Sequence, residues 1–256
     1  MQKLLLPLAA PLEENISALL CIIADNKKLQ NSIDVYLDFE QEPLCRSAWL
    51  CRAQQLYNCA LRESIGAKVD IVPCLLSAPI TAQVLASAAT EGFYPCYQYV
   101  ALGGTFDRLH AGHKMLLTTG ALYTMQRLRV GVTGLLLLKN KKFAELLEPF
   151  EARKSAVEVF LRKLRVDMEI EVPELLEPTG GTDKIAAVEA LVVSLETQPM
   201  VAYINAKREE GKLQHLKQIV VEYVGGKDDA SRISSTKLRQ ECLIAMSRRA
   251  KLDDVT

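Results

Sequence analysis

The stretch that decides the fold is YVALGGTFDRLHAGHKMLL, residues 99–117 of a chain of 256 residues. Its first part, YVAL, is aromatic, β-branched or apolar, which is typical of a buried strand. The glycine pair Gly103 and Gly104 ends this strand. From Gly112 onward, apolar residues recur at spacings of three and four, which predicts a helix. The stretch therefore predicts a strand, a glycine-rich loop and a helix N-terminus in succession.

Such a junction is suited to binding a phosphate group. The free N–H groups of the first helical turn and the positive end of the helix dipole both favour an anion there. His110 and His113 stand three residues apart at the end of the loop and on the first turn, so both are expected to face the space left by the glycines. We expect the two histidines to donate hydrogen bonds to phosphate oxygens. The only other histidine of the chain is His215.

Other interpretations of the same loop follow from the residues alone. Glycines at a strand–helix junction also occur in α/β proteins where they serve only tight packing. A zinc site needs further ligands at short paired spacings, and the sequence has neither a Cys-x-x-Cys pair nor a second histidine pair. A Rossmann dinucleotide site needs G-x-G-x-x-G, which is absent. No metal ligands are therefore predicted.

Composition narrows the class of protein. Lys plus Arg and Asp plus Glu are both 31, so no overall charge favours nucleic acid or an anionic membrane as a partner. The apolar N-terminal segment is interrupted by Pro7 and Pro11 and fits neither a signal peptide nor a membrane anchor. Seven cysteines without disulfide spacing predict buried, reduced thiols and a cytoplasmic location.

The chain is predicted to contain two domains. Residues 1–95 form a separate α/β unit that carries no catalytic constellation, residues 91–95 (EGFYP) form the linker, and residues 96–256 form the phosphate-binding domain. In the first unit the patterns predict strands at 4–8, 33–39 and 69–75 and a helix at 47–65. In the second they predict further strands at 128–132, 169–172 and 191–195, and helices that begin near Pro149 and Ser234.

Two motifs carry a resemblance to a known family. GGTFD at 103–107 with HAGH at 110–113 resembles the signature of nucleotidylyltransferases that have an HxGH motif. Within that superfamily the segment GGTFDRLHAGHKMLL is most similar to phosphopantetheine adenylyltransferases of the eukaryotic coenzyme A synthase type. SSTKLR at 234–239 resembles the second signature of the family, ISSSxxR. Two signatures in the right order, about 120 residues apart, make coincidence implausible.

The resemblance implies a fold and an activity. The fold is α/β, with a doubly wound parallel sheet of Rossmann-like type in the second domain, preceded by the smaller α/β domain of unknown role. The activity is transfer of the adenylyl group of ATP to 4′-phosphopantetheine, giving dephospho-coenzyme A and pyrophosphate without a covalent intermediate, with Mg²⁺ bridging the triphosphate. A cytidylyltransferase for phosphocholine, phosphoethanolamine or glycerol 3-phosphate stays open, as does a non-catalytic nucleotide-binding scaffold. A homo-oligomer or an association with other enzymes of the coenzyme A pathway also stays open.

Site residues follow from the resemblance, position by position. The histidines would stabilise charge on the α-phosphate, Thr105 would orient the attacking phosphate, and a lysine would hold both anions. The predicted catalytic residues are His113, His110, Thr105, Lys139 and Lys141. The acceptor substrate is expected at Thr105, Asp107, Lys139 and Lys141. The predicted ATP-binding residues are Gly103, Gly104, Thr105, Phe106, His110, His113, Arg153, Ser194, Glu196, Thr197, Asn205, Arg208, Ser234, Ser235 and Thr236.

The position of the lysine run KNKK, residues 139–142, independently favours a role in binding phosphate. It follows a predicted parallel strand, and open α/β sheets bind ligands beyond the carboxyl ends of their strands. Five positions depart from the family pattern. Glu177 and Thr179 stand where the family has Asp and Tyr. Gly134 and Leu135 stand where charged residues are usual, and Ala206 replaces an arginine whose phosphate contact Lys207 would then have to supply.

Overall fold

The structure is a computed structural model that describes residues 2–26, 32–39, 45–63, 68–75, 78–89, 96–139, 141–225 and 232–253. Within these ranges the chain forms two α/β units, each with a largely parallel sheet and helices packed against it. The predicted linker at 91–95 lies outside the described residues. The α/β fold class predicted from the sequence is confirmed.

The N-terminal unit is built on a four-stranded sheet in the order β1-β2-β3-β4, in which the first three strands are parallel and the short β4 pairs antiparallel with β3. The strands are β1 (Gln2–Pro7), β2 (Ile33–Asp38), β3 (Val69–Leu75) and β4 (Ala78–Pro79). The helices are α1 (Leu12–Asn26), α2 (Arg46–Glu63) and α3 (Ala82–Ala89). The three predicted strands are present with ends that differ by at most two residues, and the predicted helix is present up to residue 63, while its residues 64 and 65 lie outside the described residues.

The only tryptophan of the chain fastens α2 to this sheet. Trp49 is fully buried, its indole N–H donates to the carbonyl of Leu37 at 3.0 Å, and its ring stacks on Phe39. An apolar ring whose single polar atom has a partner is a stable way to fill a core.

The C-terminal unit is built on a parallel sheet in the order β10-β9-β5-β6-β7, with the short β8 also pairing with β6. The strands are β5 (Tyr97–Gly104), β6 (Thr124–Thr133), β7 (Glu169–Glu171), β8 (Glu174–Leu175), β9 (Ala190–Ser194) and β10 (Lys217–Val221). The helices are α4 (Ala111–Tyr123), α5 (Phe150–Leu164), α6 (Pro199–Glu210) and α7 (Ser235–Asp253).

The strand order explains where a ligand site can form. The chain moves outward from β5 through β6 to β7, and then returns to the other side of β5 with β9 and β10. In open α/β sheets the crevice for a ligand lies beyond the carboxyl ends of the strands at this reversal point. That place is between β5 and β9, where the glycine pair ends β5.

The two units share one hydrophobic core. Buried apolar residues of the first unit, such as Leu56 and Ile71, belong to the same cluster as Leu117 and Phe160 of the second. Helix α4 is buried along almost its whole length, because α2 and β3 cover the side that the C-terminal sheet and α5 leave open. The division into domains at residue 95 stays a prediction.

The structure also bears on the cysteines and on membrane insertion. All seven cysteines are free thiols, but only Cys74 is buried, while Cys21, Cys45 and Cys51 are exposed. The expectation of buried thiols is therefore wrong for those three, which lie on outward-facing positions of helices or at a helix start. None of the helices in the described ranges combines the length and the apolar content that a membrane-spanning segment needs.

The shared core predicts that the two units unfold together. Trp49 fluorescence reports on the N-terminal unit, and far-ultraviolet circular dichroism reports on the helices of both units. Since a common core makes unfolding cooperative, both signals should give the same urea midpoint. A fluorescence transition that precedes or follows the circular dichroism transition would show that the units unfold separately.

Candidate active site

A cavity of about 1000 Å³ opens at the carboxyl ends of the strands, at the reversal point between β5 and β9. The glycine pair, the start of α4, the end of β9 and the start of α7 all line it. The sequence-predicted residues that line it are Gly103, Gly104, Thr105, His110, His113, Lys141, Ser194, Glu196, Thr197, Ser234, Ser235 and Thr236. Segments far apart in sequence therefore meet around one space.

The loop after β5 folds back beneath the glycines. Phe106 adopts a left-handed backbone conformation with φ of 52°, and its side chain is fully buried. A Cβ atom at Gly104 would lie 3.2 Å from the Phe106 ring, so a side chain at that position would press against the ring. The Phe106 ring centre is 5.2 Å from that of His113. The Phe106 ring thus packs against His113, and the ATP contact predicted for Phe106 stays a prediction.

The two histidines stack on each other at the start of α4. Their ring centres are 3.8 Å apart and their planes differ by 20°. Burial lowers the pKa of His110 to about 4, and the charge of Lys114 adds to this while Asp107 opposes it. Burial, then His110 and Lys141, hold the pKa of His113 well below its usual range. Both rings are therefore neutral near pH 7 and act as hydrogen-bonding groups, not as cations.

The start of α7 brings the second signature onto the first. Ser234 Oγ accepts a hydrogen bond from the backbone N–H of Lys237 at 3.3 Å, as an N-cap does. Ser235 Oγ donates to the carbonyl of Asp107 at 2.9 Å and lies 3.4 Å from His110 Nε2. A hydroxyl from α7 therefore touches both the loop and the histidine pair.

A buried ion pair locks these two segments together. Arg239 of α7 lies 2.5 Å from the carboxylate of Asp107, and both side chains are almost inaccessible to solvent. The other oxygen of Asp107 accepts from the backbone N–H of Glu148 at 2.9 Å. Both oxygens of Asp107 are thus engaged within the protein, which gives the residue a structural role, and its contact with the acceptor substrate stays a prediction. Arg239, which also lines the cavity, was not predicted as a site residue.

Three of the predicted ATP ligands, Arg153, Arg208 and Asn205, form hydrogen bonds with backbone groups and do not line the cavity. The buried guanidinium of Arg153 donates to the carbonyls of Thr105 at 2.7 Å and Glu148 at 3.0 Å. Arg208, also buried, donates to five carbonyls: those of Gln214, Thr182, Ile185, Ala186 and Val188. The amide of Asn205 bonds to both the N–H and the carbonyl of Leu216. Since a buried guanidinium needs partners for its N–H groups, these residues anchor loops around the cavity, and their contact with ATP stays a prediction.

The lysine run contributes to the cavity unevenly. Lys141 lines it and is near enough to lower the pKa of His113. Lys142, which was not predicted as a site residue, also lines it, and its carbonyl accepts from Arg239 Nε at 3.2 Å. Lys139 is exposed and does not belong to the lining. Of the two predicted phosphate ligands, the geometry favours Lys141.

One wall of the cavity is a leucine held over glycines. Leu175 of β8 lies above Gly103, Gly131 and Gly180, which come from three different segments. A Cβ atom would lie 2.2 Å from the Leu175 side chain at Gly131 and 2.6 Å from it at Gly180. The absence of side chains at these glycines therefore makes room for one side chain. Sequence reasoning missed this wall because Gly103 and Gly131 are far from Leu175 along the chain.

Metal ligands do not cluster in the described ranges. No group of three or more His, Cys, Asp or Glu side chains is arranged there to hold a metal ion. Any divalent cation at this site would have to bring most of its ligands with it, as phosphate oxygens and water do for Mg²⁺.

The comparison with protein families agrees with this geometry. Residues 101–241, more than half of the chain, match the family described as cytidylyltransferase-like. The chain belongs to this family. The matched segment begins in β5 and ends in α7, so it contains both signatures and most of the cavity.

Curated relatives narrow the family further. The chain is 39% identical over 147 residues to a phosphopantetheine adenylyltransferase of Saccharomyces cerevisiae, covering 56% of this chain and 48% of that relative. It is 38% identical to one from Methanothermobacter thermautotrophicus and 36% identical to one from Methanopyrus kandleri, covering 84% and 90% of those relatives. The chain thus spans about half the length of the yeast relative and most of the archaeal ones. The resemblance predicted from the motifs is confirmed.

The neutral histidines predict an acid-sensitive fold. Below pH 6.5 the unfolded chain protonates its histidines, whereas folded His110 stays neutral down to about pH 4, so stability is complete above pH 6.5 and falls with pH. Between pH 7 and pH 5, His110 should account for a loss of about 2 kcal/mol in the free energy of unfolding. Urea unfolding of His110→Gln should show a loss smaller by that amount. His215→Gln, which changes an exposed histidine outside the cavity, is the control, and an equal loss in all three proteins would contradict the assignment.

Proposed function

We propose that this chain transfers the adenylyl group of ATP to 4′-phosphopantetheine, giving dephospho-coenzyme A and pyrophosphate. Relatives named phosphopantetheine adenylyltransferase match more than half of this chain, and the family match covers residues 101–241. The observation that carries the proposal is that this segment, residues 101–241, builds the cavity. Both signature loops, the histidine pair and Lys141 lie within it. The identity is 34–39% across these named relatives, in which the archaeal chains are nearly as short as the matched segment.

The geometry suggests how the reaction runs. A phosphate monoester is already anionic at neutral pH, so it can attack the α-phosphorus without a general base, and positioning with charge stabilisation is sufficient. In this proposal His113 and His110 donate hydrogen bonds to the α-phosphate as charge develops there, which the neutral rings can do. Thr105 orients the attacking phosphate and Lys141 lies between the two anions. The hydroxyls and free N–H groups at the start of α7 receive the leaving pyrophosphate.

Magnesium enters with the nucleotide in this proposal. The described residues hold no carboxylate cluster for a resident ion, whereas Mg²⁺ is readily carried by the phosphate oxygens of ATP. In this proposal ATP would bind as its magnesium complex, and the ion would neutralise part of the charge on the triphosphate. Lys141, Lys142 and Arg239 supply further positive charge around the same cavity.

Two other functions are less well supported. A cytidylyltransferase for phosphocholine, phosphoethanolamine or glycerol 3-phosphate would use the same fold, but the named relatives do not favour it. A non-catalytic scaffold would explain the departures at Gly134, Leu135 and Ala206, but not a preserved constellation of His110, His113 and Lys141 around one cavity.

One assay separates these possibilities. Pyrophosphate release is measured with each pairing of ATP or CTP with 4′-phosphopantetheine, phosphocholine, phosphoethanolamine or glycerol 3-phosphate. Release with ATP and 4′-phosphopantetheine supports the proposal. Release only with CTP and another acceptor would make the chain a cytidylyltransferase, and no release with any pair would favour the scaffold.

The first prediction concerns the catalytic role of His113. If its ring stabilises charge only in the transition state, His113→Ala should lower kcat by about 10² to 10³ while the Kd of ATP changes little. Steady-state kinetics and equilibrium ATP binding measure the two quantities. The matched control is His215→Ala, which should keep both. Weak ATP binding with normal kcat would make His113 a ground-state ligand instead.

The second prediction concerns the choice of nucleotide. Adenine and cytosine differ in size and in hydrogen-bonding edge, so the wrong base would leave buried polar groups unpaired. ATP should therefore be preferred over CTP by about 10² or more in kcat/KM with 4′-phosphopantetheine as acceptor. Equal kcat/KM values for the two nucleotides would refute the adenylyl assignment while leaving the histidine mechanism intact.

A further inference from the structure

One carboxylate of the N-terminal unit, that of Asp70, contacts the helix that carries the histidines of the candidate active site. We propose that Asp70 of β3 is a positioning residue, which fixes helix α4 and thereby His110 and His113 by holding the buried ammonium group of Lys114. The kinetic consequence rests on the proposed function, but the structural consequence does not. The inference gives the N-terminal unit a part in shaping a site to which it contributes no lining residue in the described ranges.

Lys114 ties the first turn of α4 to the N-terminal sheet. It directly follows His113, and successive residues of an α-helix point about 100° apart, so the two side chains leave the helix on different sides. The Lys114 ammonium lies 2.6 Å from the Asp70 carboxylate and 2.8 Å from the carbonyl of Val69. Lys114 is only 9% exposed, and a buried ammonium needs such partners. Both partners belong to β3.

Asp70 joins two helices of the C-terminal unit. One oxygen contacts Lys114 of α4, and the other lies 2.5 Å from Lys163 of α5. Lys163 also contacts Asp34 of β2 at 2.8 Å, so two aspartates of one unit balance two lysines of the other. Burial raises the pKa of Asp70, but the two lysines outweigh it and hold that pKa below its usual value, so the carboxylate is charged at neutral pH.

The histidine pair depends strongly on where α4 lies. The Nδ1 atoms of His110 and His113 have no hydrogen-bond partner among the described residues. The rings are positioned by stacking on each other, by a tilted contact between His113 and Phe106, and by a contact of 3.4 Å between His110 Nε2 and Ser235 Oγ. Stacking resists sliding weakly, so a shift of the helix backbone carries both rings with it. A misplacement of about 1 Å at a reacting centre can cost on the order of 10² in rate.

Asp34 provides a matched control. Like Asp70 it belongs to the N-terminal sheet, is largely buried and pairs with Lys163, but its recorded lysine contact is with α5 and not with α4. If the charge cluster served only to hold the two units together, neutralising either aspartate would have the same effect. If Asp70 positions α4, only its neutralisation should disturb the histidines.

The experiment uses the three histidines of the full chain as reporters. In Asp70→Asn the imidazole proton resonances of His110 and His113 should shift and that of His215 should not, whereas Asp34→Asn should leave all three in place. With ATP and 4′-phosphopantetheine, Asp70→Asn should lower kcat about tenfold or more with little change in the KM of ATP, and Asp34→Asn should stay within about twofold. Unshifted histidine signals in folded Asp70→Asn, or the same shifts in Asp34→Asn, would overturn the proposal.

A second variant covers the case in which Asp70→Asn does not fold. Lys114→Met removes the buried charge with a side chain of similar length that can be buried without a partner, so the link to β3 is lost and the core stays filled. His113 is the reporter in this variant, because the charge of Lys114 itself acts on His110 but not on His113. A shift of the His113 signal is expected, and a wild-type His113 signal in the folded variant would overturn the proposal. If the wild-type chain shows no adenylyl transfer, the proposed function fails, while the histidine signals still decide the role of Asp70.

Discussion

The ion pair between Asp107 and Arg239 is the contact on which the arrangement of the cavity depends. It joins the loop after β5 to the last helix, and its two side chains are excluded from solvent. Removing one partner of such a pair leaves an uncompensated buried charge, which typically costs about 3–5 kcal/mol. Glu148 and Lys142 add backbone contacts to the same two side chains, so four segments are fixed by one pair. The two signature loops are therefore parts of one folded site and not separate binding elements.

Short sequence patterns were sufficient to predict many of the strands and several of the helices. The run YVAL followed by two glycines predicted β5 and its end, because an apolar strand and a glycine stop are both encoded within a few residues. The same holds for β2, β3 and α2 in the N-terminal unit, whose starts differ from prediction by at most one residue. Of the predicted site residues, those at strand ends and helix starts line the cavity, since backbone position alone decides their place.

The sequence did not reveal the partners of the long cationic side chains. Arg153 and Arg208 were assigned to ATP, yet both are buried and donate to carbonyl groups. Nothing in the neighbouring residues distinguishes an arginine that holds phosphate from one that holds backbone, because both uses require the same planar set of donors. Lys114 presents the same difficulty: a lysine on a helix is usually solvated, and its partner Asp70 belongs to a different sheet. Such partners become visible only when the tertiary structure is known.

The side chain of Leu175, which forms one wall of the cavity, limits the size of the side chain that position 131 can hold. Because Leu175 occupies the space above Gly131, any side chain at 131 needs a smaller residue at 175, and the two positions should vary together in related chains. Gly180 is constrained differently, since its φ of 57° disfavours other residues whatever stands at 175. One pair of positions thus sets how wide the cavity is beside the glycine pair. A smaller side chain at 175 would widen it without disturbing a single polar group, which offers a route to accepting bulkier substrates.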